Sequence, residues 1–523
     1  MTAHAPATHY LVGGGISSLA AAVFLIRDAG VRGGDIVLFE QEDAPGGSLD
    51  GTGSPDTGYL VRGGRMFEKH FVCTFDLLAS IPLPDASGRT LKDDIEAFNR
   101  EVRGSSRCRL VRDARPDDPS FGLKGRDRFD LMKFMAAPES SLAGRTIESC
   151  FSPAFFESNF WVMWATTFAF QTWHSATELR RYFRRFIHLF PEFKQLGGVL
   201  RTRYNQYDSI IAPISAWLKG QGVRFETGTR VLDADLESKD GRKRIPALHI
   251  RRRGRDERLA VRPGDRVYLT LGSMTAGSST GTNTAPPASS DDRLSWDFWT
   301  RLAARDPAFG RPDVFCGNVA QTRWESFTVT LPQPAFFDFM EGFTGNVAGT
   351  GGLVTFSRSG WMMSVVLFNQ PHFAQQPEDA FVFWGYGLRG DRKGDFVRKP
   401  MAECTGQELL QELAGQLGVT DRGDTLFEGA RVISCMMPYI TSQFMPRRPG
   451  DRPGTVPEGA ENFAILGQFC EQERDVVFTV EYSVRSAKQA VHALAGGPGP
   501  PHVVRTDRNP AALSRALWTL LSG

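Results

Sequence analysis

Charge imbalance, cysteine pairs and long apolar runs are all missing from this 523-residue sequence. Lys plus Arg is 61 against 59 for Asp plus Glu, a formal net charge of +2. A general nucleic-acid binder carries a clearer basic excess, so nucleic acid is not an expected partner. The seven cysteines (Cys73, Cys108, Cys150, Cys316, Cys404, Cys435, Cys470) are scattered, with no C-x-x-C pair. That excludes a recognisable disulfide framework or structural zinc site and makes a reducing cytoplasm the expected compartment. His, Cys, Asp and Glu are nowhere spaced as metal ligands, so no metal is expected. Residues 11–26 are apolar but broken by Gly13, Gly14, Gly15, Ser17 and Ser18, and residues 160–173 are too few for a bilayer. Neither a spanning helix nor a signal peptide is expected.

What is present reads as an enzyme of two or three cores, or of one large domain with insertions. Hydrophobic residues make up 41% and charged residues 23%, values that exclude wholesale disorder. The chain opens as strand, turn, helix, strand: Tyr10-Leu11-Val12, then Gly13 to Ser18, a helical stretch from Leu19 to Asp28, and Ile36 to Phe39 ending at Glu40. Gly13, Gly15 and Ser18 form G-x-G-x-x-S, the turn that brings a pyrophosphate against a helix N-terminus. Glu40, 25 residues after Gly15, is placed to accept hydrogen bonds from a ribose. A second glycine pair follows in Ala44-Pro45-Gly46-Gly47-Ser48, where Gly47 and Ser48 would let backbone pass close to the cofactor. That pair favours FAD over NAD. Val231, after a strand signal, is expected to meet the adenine with its backbone. Phe478 and Thr479, before a helix opening near Glu481, are expected to face the flavin pyrimidine edge.

Along the rest of the chain, residues 80–145 read as a polar, partly helical excursion over the surface, and residues 146–219 as helical and aromatic. Residues 275–292 are a Gly/Ser/Thr/Pro loop. No internal repeat is visible.

Several longer motifs carry a resemblance. Arg62-Gly63-Gly64-Arg65 with Glu68, His70 and Cys73 is one. Thr166 to Gln171 with Trp173-His174-Ser175, Arg181-Tyr182, and Tyr204-Asn205-Gln206-Tyr207-Asp208-Ser209 are others. Gln370-Pro371-His372-Phe373, Cys435 to Phe444 and Val476 to Arg485 complete the series. From about Tyr10 to Leu494 the chain resembles the oleate hydratases, FAD-containing fatty acid hydratases once called myosin-cross-reactive antigens.

The resemblance implies addition of water across the cis-9 double bond of oleic acid, with FAD required and no net redox change. It places the proton donor on Tyr182, a pocket glutamine on Gln206 and a cofactor contact on Arg65. The water-activating glutamate of the family, after Gly-Gly-Arg, is Met66 here, as in a subfamily whose members are still hydratases. A positioned base is worth about 10²- to 10⁴-fold, so another group must orient the water. The flavin and the backbone carbonyls around Gly63-Gly64 are favoured over Glu68. Two polar positions that precede the family histidine are Val366 and Phe368. His372, with Asn369, Gln370 or a nearby Arg, is left to hold the acid head.

The fold expected is α/β, a Rossmann-like FAD domain of the glutathione-reductase or amine-oxidase type built from discontinuous segments. It would comprise residues 1–80, 221–290 and 431–494, with a mixed α+β substrate domain at 291–430, a mostly helical cap at 81–220 and a tail at 495–523. By spacing alone Tyr182 reads as a core residue beside the stripe Leu179, Phe183, Phe186 and Phe190; only the resemblance makes it a proton donor. Arg180-Arg181 and Arg184-Arg185 read as a solvated face or phosphate-side helpers, and His174 and His188 as structural. The tail stripe Leu513, Ala516, Leu517, Leu520 and Leu521 reads as a packed terminal helix, with peripheral membrane contact as the alternative. A monomer is expected, since the nucleotide strand starts by residue 10. Two other functions stay open: a flavin oxidoreductase of the amine oxidase or desaturase type, which consumes an electron acceptor, and a non-catalytic lipid-binding relative.

Overall fold

The computed structural model describes residues 6–504 except 65, 86, 118, 119, 291, 294 and 351, together with 514–516 and 518–520. Its nucleotide-type sheet is parallel, in the order Phe463–Leu466, Arg266–Thr270, His9–Val12, Ile36–Phe39, Arg224–Glu226. The strand His9–Val12 lies in the middle, and the chain continues to one side of it before returning on the other. The crevice beyond its carboxyl end is therefore the topological switch point where ligands bind in such sheets. The helix Ile16–Arg27 buries Leu19 through Leu25. Its Ala20-Ala21-Ala22 run carries no bulk, so sheet and helix approach closely. The helix Val480–Ala495 packs against it. This α/β arrangement is the one expected from the opening motif.

A second, eight-stranded sheet has the order Ser279–Thr280, Arg431–Met437, Trp324–Leu331, Phe381–Gly387, Met363–Leu367, Val354–Phe356, Leu110–Arg112, Arg115–Pro116. Alternation along Trp324–Leu331 divides its residues between two faces. Thr328 and Thr330 accept the N–H groups of Val61 (3.1 Å) and Tyr59 (2.9 Å), so their face meets the hairpin strand Gly58–Val61. Phe327, Val329 and Leu331 lie on the other face, in a separate core with the helices Ala335–Thr344 and Gly406–Leu417.

One sequence expectation changes. Residues 80–145 are not all a surface excursion: Arg109, Leu110 and Val111 are buried, and Leu110–Arg112 is a strand of the large sheet. The apolar pair Leu110-Val111 is too short to stand out in a polar stretch. In the tail, Ala516 and Leu520 are buried and Trp518 is 73% exposed, while Leu513, Leu517 and Leu521 lie outside the described residues. Among the described residues no helix is long and apolar enough to cross a membrane.

Glu325 is fully buried on the Phe327 strand face, and neither carboxyl oxygen has a hydrogen-bond partner among the described residues. Burial raises its carboxyl well above the usual range, so the fold holds it neutral. The unfolded chain ionises near the ordinary value, so stability falls as pH rises above about 4.5. Glu325→Gln should remove this loss. We expect its Tm to exceed that of the parent at pH 8 and to match it near pH 4, measured by thermal denaturation. A parent more stable than E325Q at pH 8 would contradict a neutral carboxyl.

Candidate active site and cofactor cradle

The turn after His9–Val12 is built for close approach. Gly13 has φ +90°, a conformation that side chains rarely adopt, and no heavy atom lies within 4 Å of where a Cβ on Gly15 would sit. Gly15 is the N-cap of Ile16–Arg27 and offers no side chain, so the helix end is open to an anion. The Gly14 N–H donates to Glu40 Oε2 (2.7 Å), and the Glu42 N–H donates to Oε1 (3.0 Å). Gly46 N–H donates to the Gly14 carbonyl (3.0 Å), drawing Gly47 and Ser48 beside the turn. Ser18 is buried, its Oγ 3.4 Å from Thr270 Oγ1.

Thr229 N–H donates to the Glu40 carbonyl (2.8 Å), which starts the edge strand Thr229–Ala234, with Val231, beside Glu40. Gly13, Gly15, Ser18, Glu40, Gly47 and Ser48 thus gather around one open turn whose shape fits a dinucleotide such as FAD, with Val231 on the strand that follows Thr229. Arg65 lies outside the described residues. The helix Val480–Ala495 is capped by Thr479, whose Oγ1 accepts the Tyr482 N–H (3.2 Å). Phe478 and Thr479 turn its N-terminus toward a cavity rather than into the core.

Two cavities meet at Gly64, Met66, Thr167, Leu196 and Phe478. The first, about 870 Å³ counting the part open to solvent, lies between Phe67, Phe71, Trp164, Phe168, Phe186 and Phe190, with Tyr182 and Glu68 in its wall. The second, of about 960 Å³, is lined by Arg201, Gln206, Asn369, His372, Trp324 and Trp384 among others. Tyr182 therefore shares a chamber with Met66, Phe478 and Thr479, while Gln206, Asn369 and His372 share the other. Tyr182 is 1% exposed, and its hydroxyl donates to the Val477 carbonyl at 2.6 Å. Four rings, Phe168, Phe170, Phe186 and Phe444, stand around it with centroids 5.0–5.8 Å away. The His372 ring stacks on Phe368 at 3.7 Å, and burial pushes its pKa down to about 3, so it is neutral at physiological pH.

Beneath the first cavity runs a line of buried charges. Arg185 donates to Glu68 Oε1 at 2.6 Å, and its Nε lies 3.7 Å from Asp475. Arg485 joins Asp475 and Glu481 at 2.8 Å each. Glu481 accepts the Cys73 N–H (3.1 Å) and the Thr74 N–H (2.8 Å). Glu68 Oε2 also meets His70 Nδ1 at 2.9 Å and His188 Nε2 at 3.3 Å. Glu68, His70 and His188 offer ligand atoms within 4.8 Å of one another, but Arg185 occupies one carboxylate oxygen and places a positive charge there.

This line corrects the reading of the arginine pairs as solvated. Arg180, Arg181 and Arg185 are buried, with Arg181 bonded to Glu139 and Glu471. Their partners come from distant segments, so helical spacing alone could not pair them. Asp475, Glu481 and Arg485 carried no prior reading as a set, although the i,i+4 spacing of Glu481 and Arg485 was a usable signal.

A glycine-turn cradle at a switch point, opening on an aromatic cavity, defines the class as an α/β dinucleotide-binding protein. Cyclohexylamine oxidase from Brevibacterium oxydans IH-35A shares the fold with a TM-score of 0.55 at 12% identity, covering 94% of this chain and 99% of that one. The chain belongs to the MCRA family, which it matches over residues 7–492. It is similar to an oleate hydratase of Streptococcus pyogenes serotype M49 (strain NZ131), 41% identical over 503 residues, covering 93% of this chain and 85% of the relative. It is also similar to a linoleate hydratase of Lactiplantibacillus plantarum, 33% identical over 554 residues, covering 97% of each. The family resemblance read from the motifs is borne out.

Burial would raise the Glu68 carboxyl, but the His188 contact, the Arg185 charge and the His70 N–H outweigh it and lower its pKa from 4.5 to about 2. Glu68 is therefore ionised and locked at neutral pH. A depressed carboxylate stabilises the fold above the unfolded pKa and loses that contribution as pH falls from about 4.5 toward 2. Glu68→Gln should lower stability at pH 7 by about 3 kcal/mol. Urea denaturation at pH 7 and at successively lower pH checks this: the gap to the parent should shrink below pH 4.5, and a pH-independent gap would contradict it.

Proposed function

We propose that this chain hydrates the cis-9 double bond of oleic acid, or of a similar unsaturated free fatty acid, to a 10-hydroxy fatty acid, with FAD bound and no net redox change. By family the chain is a hydro-lyase acting on unsaturated fatty acids. The observation that carries the finer reading is Tyr182: one phenolic hydroxyl set among aromatic rings, in a chamber continuous with a second, partly polar one. Burying about sixteen carbons at ~0.8 kcal/mol each gives roughly 13 kcal/mol gross, enough to hold an acyl chain after the losses of binding.

On this reading Tyr182 leaves the Val477 carbonyl and delivers its proton to C9, and water adds at C10. The second proton of that water restores Tyr182. Met66 has no proton-accepting group, and Glu68 is tied to Arg185, so neither acts as the base. The Gly63-Gly64 backbone, whose Gly64 stands where the chambers meet, would position the water with the cofactor. FAD, when bound, supplies charge and a polar edge beside the alkene. The N-terminus of Val480–Ala495 favours negative charge there by about 0.3–1 kcal/mol, so reduced cofactor should support faster turnover than oxidised. Residues 1–80, 221–290 and 431–494 hold the cofactor in this account, and the segments between them enclose the lipid.

Mass spectrometry of oleic acid incubated anaerobically in H₂¹⁸O with protein and reduced FAD, and no electron acceptor, tests the proposal. One ¹⁸O should enter each product molecule, and Tyr182→Phe should lower the rate by about 10²-fold or more. Product that forms only with an electron acceptor, or parental turnover by Y182F, would overturn it.

A further inference from the structure

On Glu68, Arg185 takes Oε1, and Oε2 is left to two imidazoles. His70 Nδ1 lies 2.9 Å from that oxygen and His188 Nε2 lies 3.3 Å from it. All three ligand atoms fall within 4.8 Å of one another. The two rings stand edge to face, with centroids 4.6 Å apart. Ligands about 2.0–2.2 Å from a tetrahedral ion are roughly 3.3–3.6 Å apart. The trio therefore needs only a small opening at His70 to admit one. Two imidazoles and a carboxylate are also the donor set of zinc sites that keep a fourth position for water.

The surroundings suit a cation. The row Glu68, Arg185, Asp475, Arg485 and Glu481 sets three carboxylates against two guanidiniums, so it lacks one positive charge. A cation at Oε2 supplies that sign at the end of the row. Arg185, on the other oxygen, then has the outer-shell part of fixing a ligating carboxylate, and the His70 N–H donates to Oε2 at 2.8 Å. His188 Nε2 is buried and, among the described residues, has no hydrogen-bond partner of good geometry. A ring nitrogen left in that state offers its lone pair to a metal. The His70 side chain is 33% exposed, which gives an ion a way in from solvent. Glu68 and His70 are far from His188 along the chain, so no ligand spacing shows in the sequence.

We infer that Glu68 Oε2, His70 Nδ1 and His188 Nε2 form a site for one divalent transition-metal ion of the zinc type, with water in the fourth position. Imidazole suits zinc, whereas magnesium and calcium take oxygen ligands. Such an ion joins two walls of the first chamber. Glu68 and His70 lie between Phe67 and Phe71, and His188 precedes Leu189 and Phe190; all four of these apolar residues line the cavity. The role is structural, and no step of the hydration reading runs through the ion.

The FAD-loaded protein is stripped with a chelator and dialysed against micromolar zinc, and bound metal is measured by plasma mass spectrometry. The parent should hold one more zinc per chain than either His70→Ala or His188→Ala. Loss of an outer-shell partner already weakens metal binding by about 10- to 100-fold, so loss of a ligand should weaken it at least as much. Zinc should also raise the Tm of the parent and leave that of H70A unchanged. Because His70 is partly exposed, H70A serves alone if H188A does not fold. A parent that binds no zinc, or equal uptake by the parent and H70A, overturns the inference.

Discussion

Five buried charges in a row, Glu68, Arg185, Asp475, Arg485 and Glu481, hold three distant pieces of chain in one register around the candidate site. Glu68 belongs to the segment that follows Gly64 and Met66. Arg185 ends the helix that carries Tyr182, and Asp475 precedes the loop of Val477, Phe478 and Thr479. Glu481 then grips the backbone of Cys73 and Thr74, which closes the circuit on the first segment. Such a line is expensive to bury and pays only if every member is matched. Its use is positional: the waist of the cavity, the phenol and the helix N-terminus cannot shift independently.

Within that frame the cavity has polarity without much charge. The first chamber presents rings and one phenol, with its carboxylate consumed by Arg185 and flanked by two imidazoles. The second presents amides, indoles, a neutral imidazole and a guanidinium. An amphiphile with one negative end and a long apolar body matches this distribution better than an amine, whose charge would have the wrong sign for the second chamber. Likeness of fold to an amine oxidase therefore says little about the ligand, since it is the side chains on the shared sheet that choose it.

The cofactor half of the molecule was legible because its signals are local. A glycine turn after a short strand, an acidic residue at the end of the next and a second glycine pair lie within the first 48 residues, and they meet in space much as they follow in sequence. Tyr182 stood out only through the resemblance, since helical spacing put it beside a core stripe, where it does lie. The arginines at 180, 181 and 185 were misread because charge on a helix usually faces water, and their carboxylate partners sit as much as 290 residues away.

On the proposed reading, Arg185 acts through Tyr182 by anchoring the end of the helix that carries the phenol to Glu68 and Asp475. A double-mutant cycle on kcat for oleate, using Arg185→Lys and Tyr182→Phe, tests it most directly. If the account is right, R185K lowers kcat in the parent, yet R185K/Y182F is no slower than Y182F alone. Multiplicative losses in the double variant would show that the two residues serve turnover separately, and would contradict it.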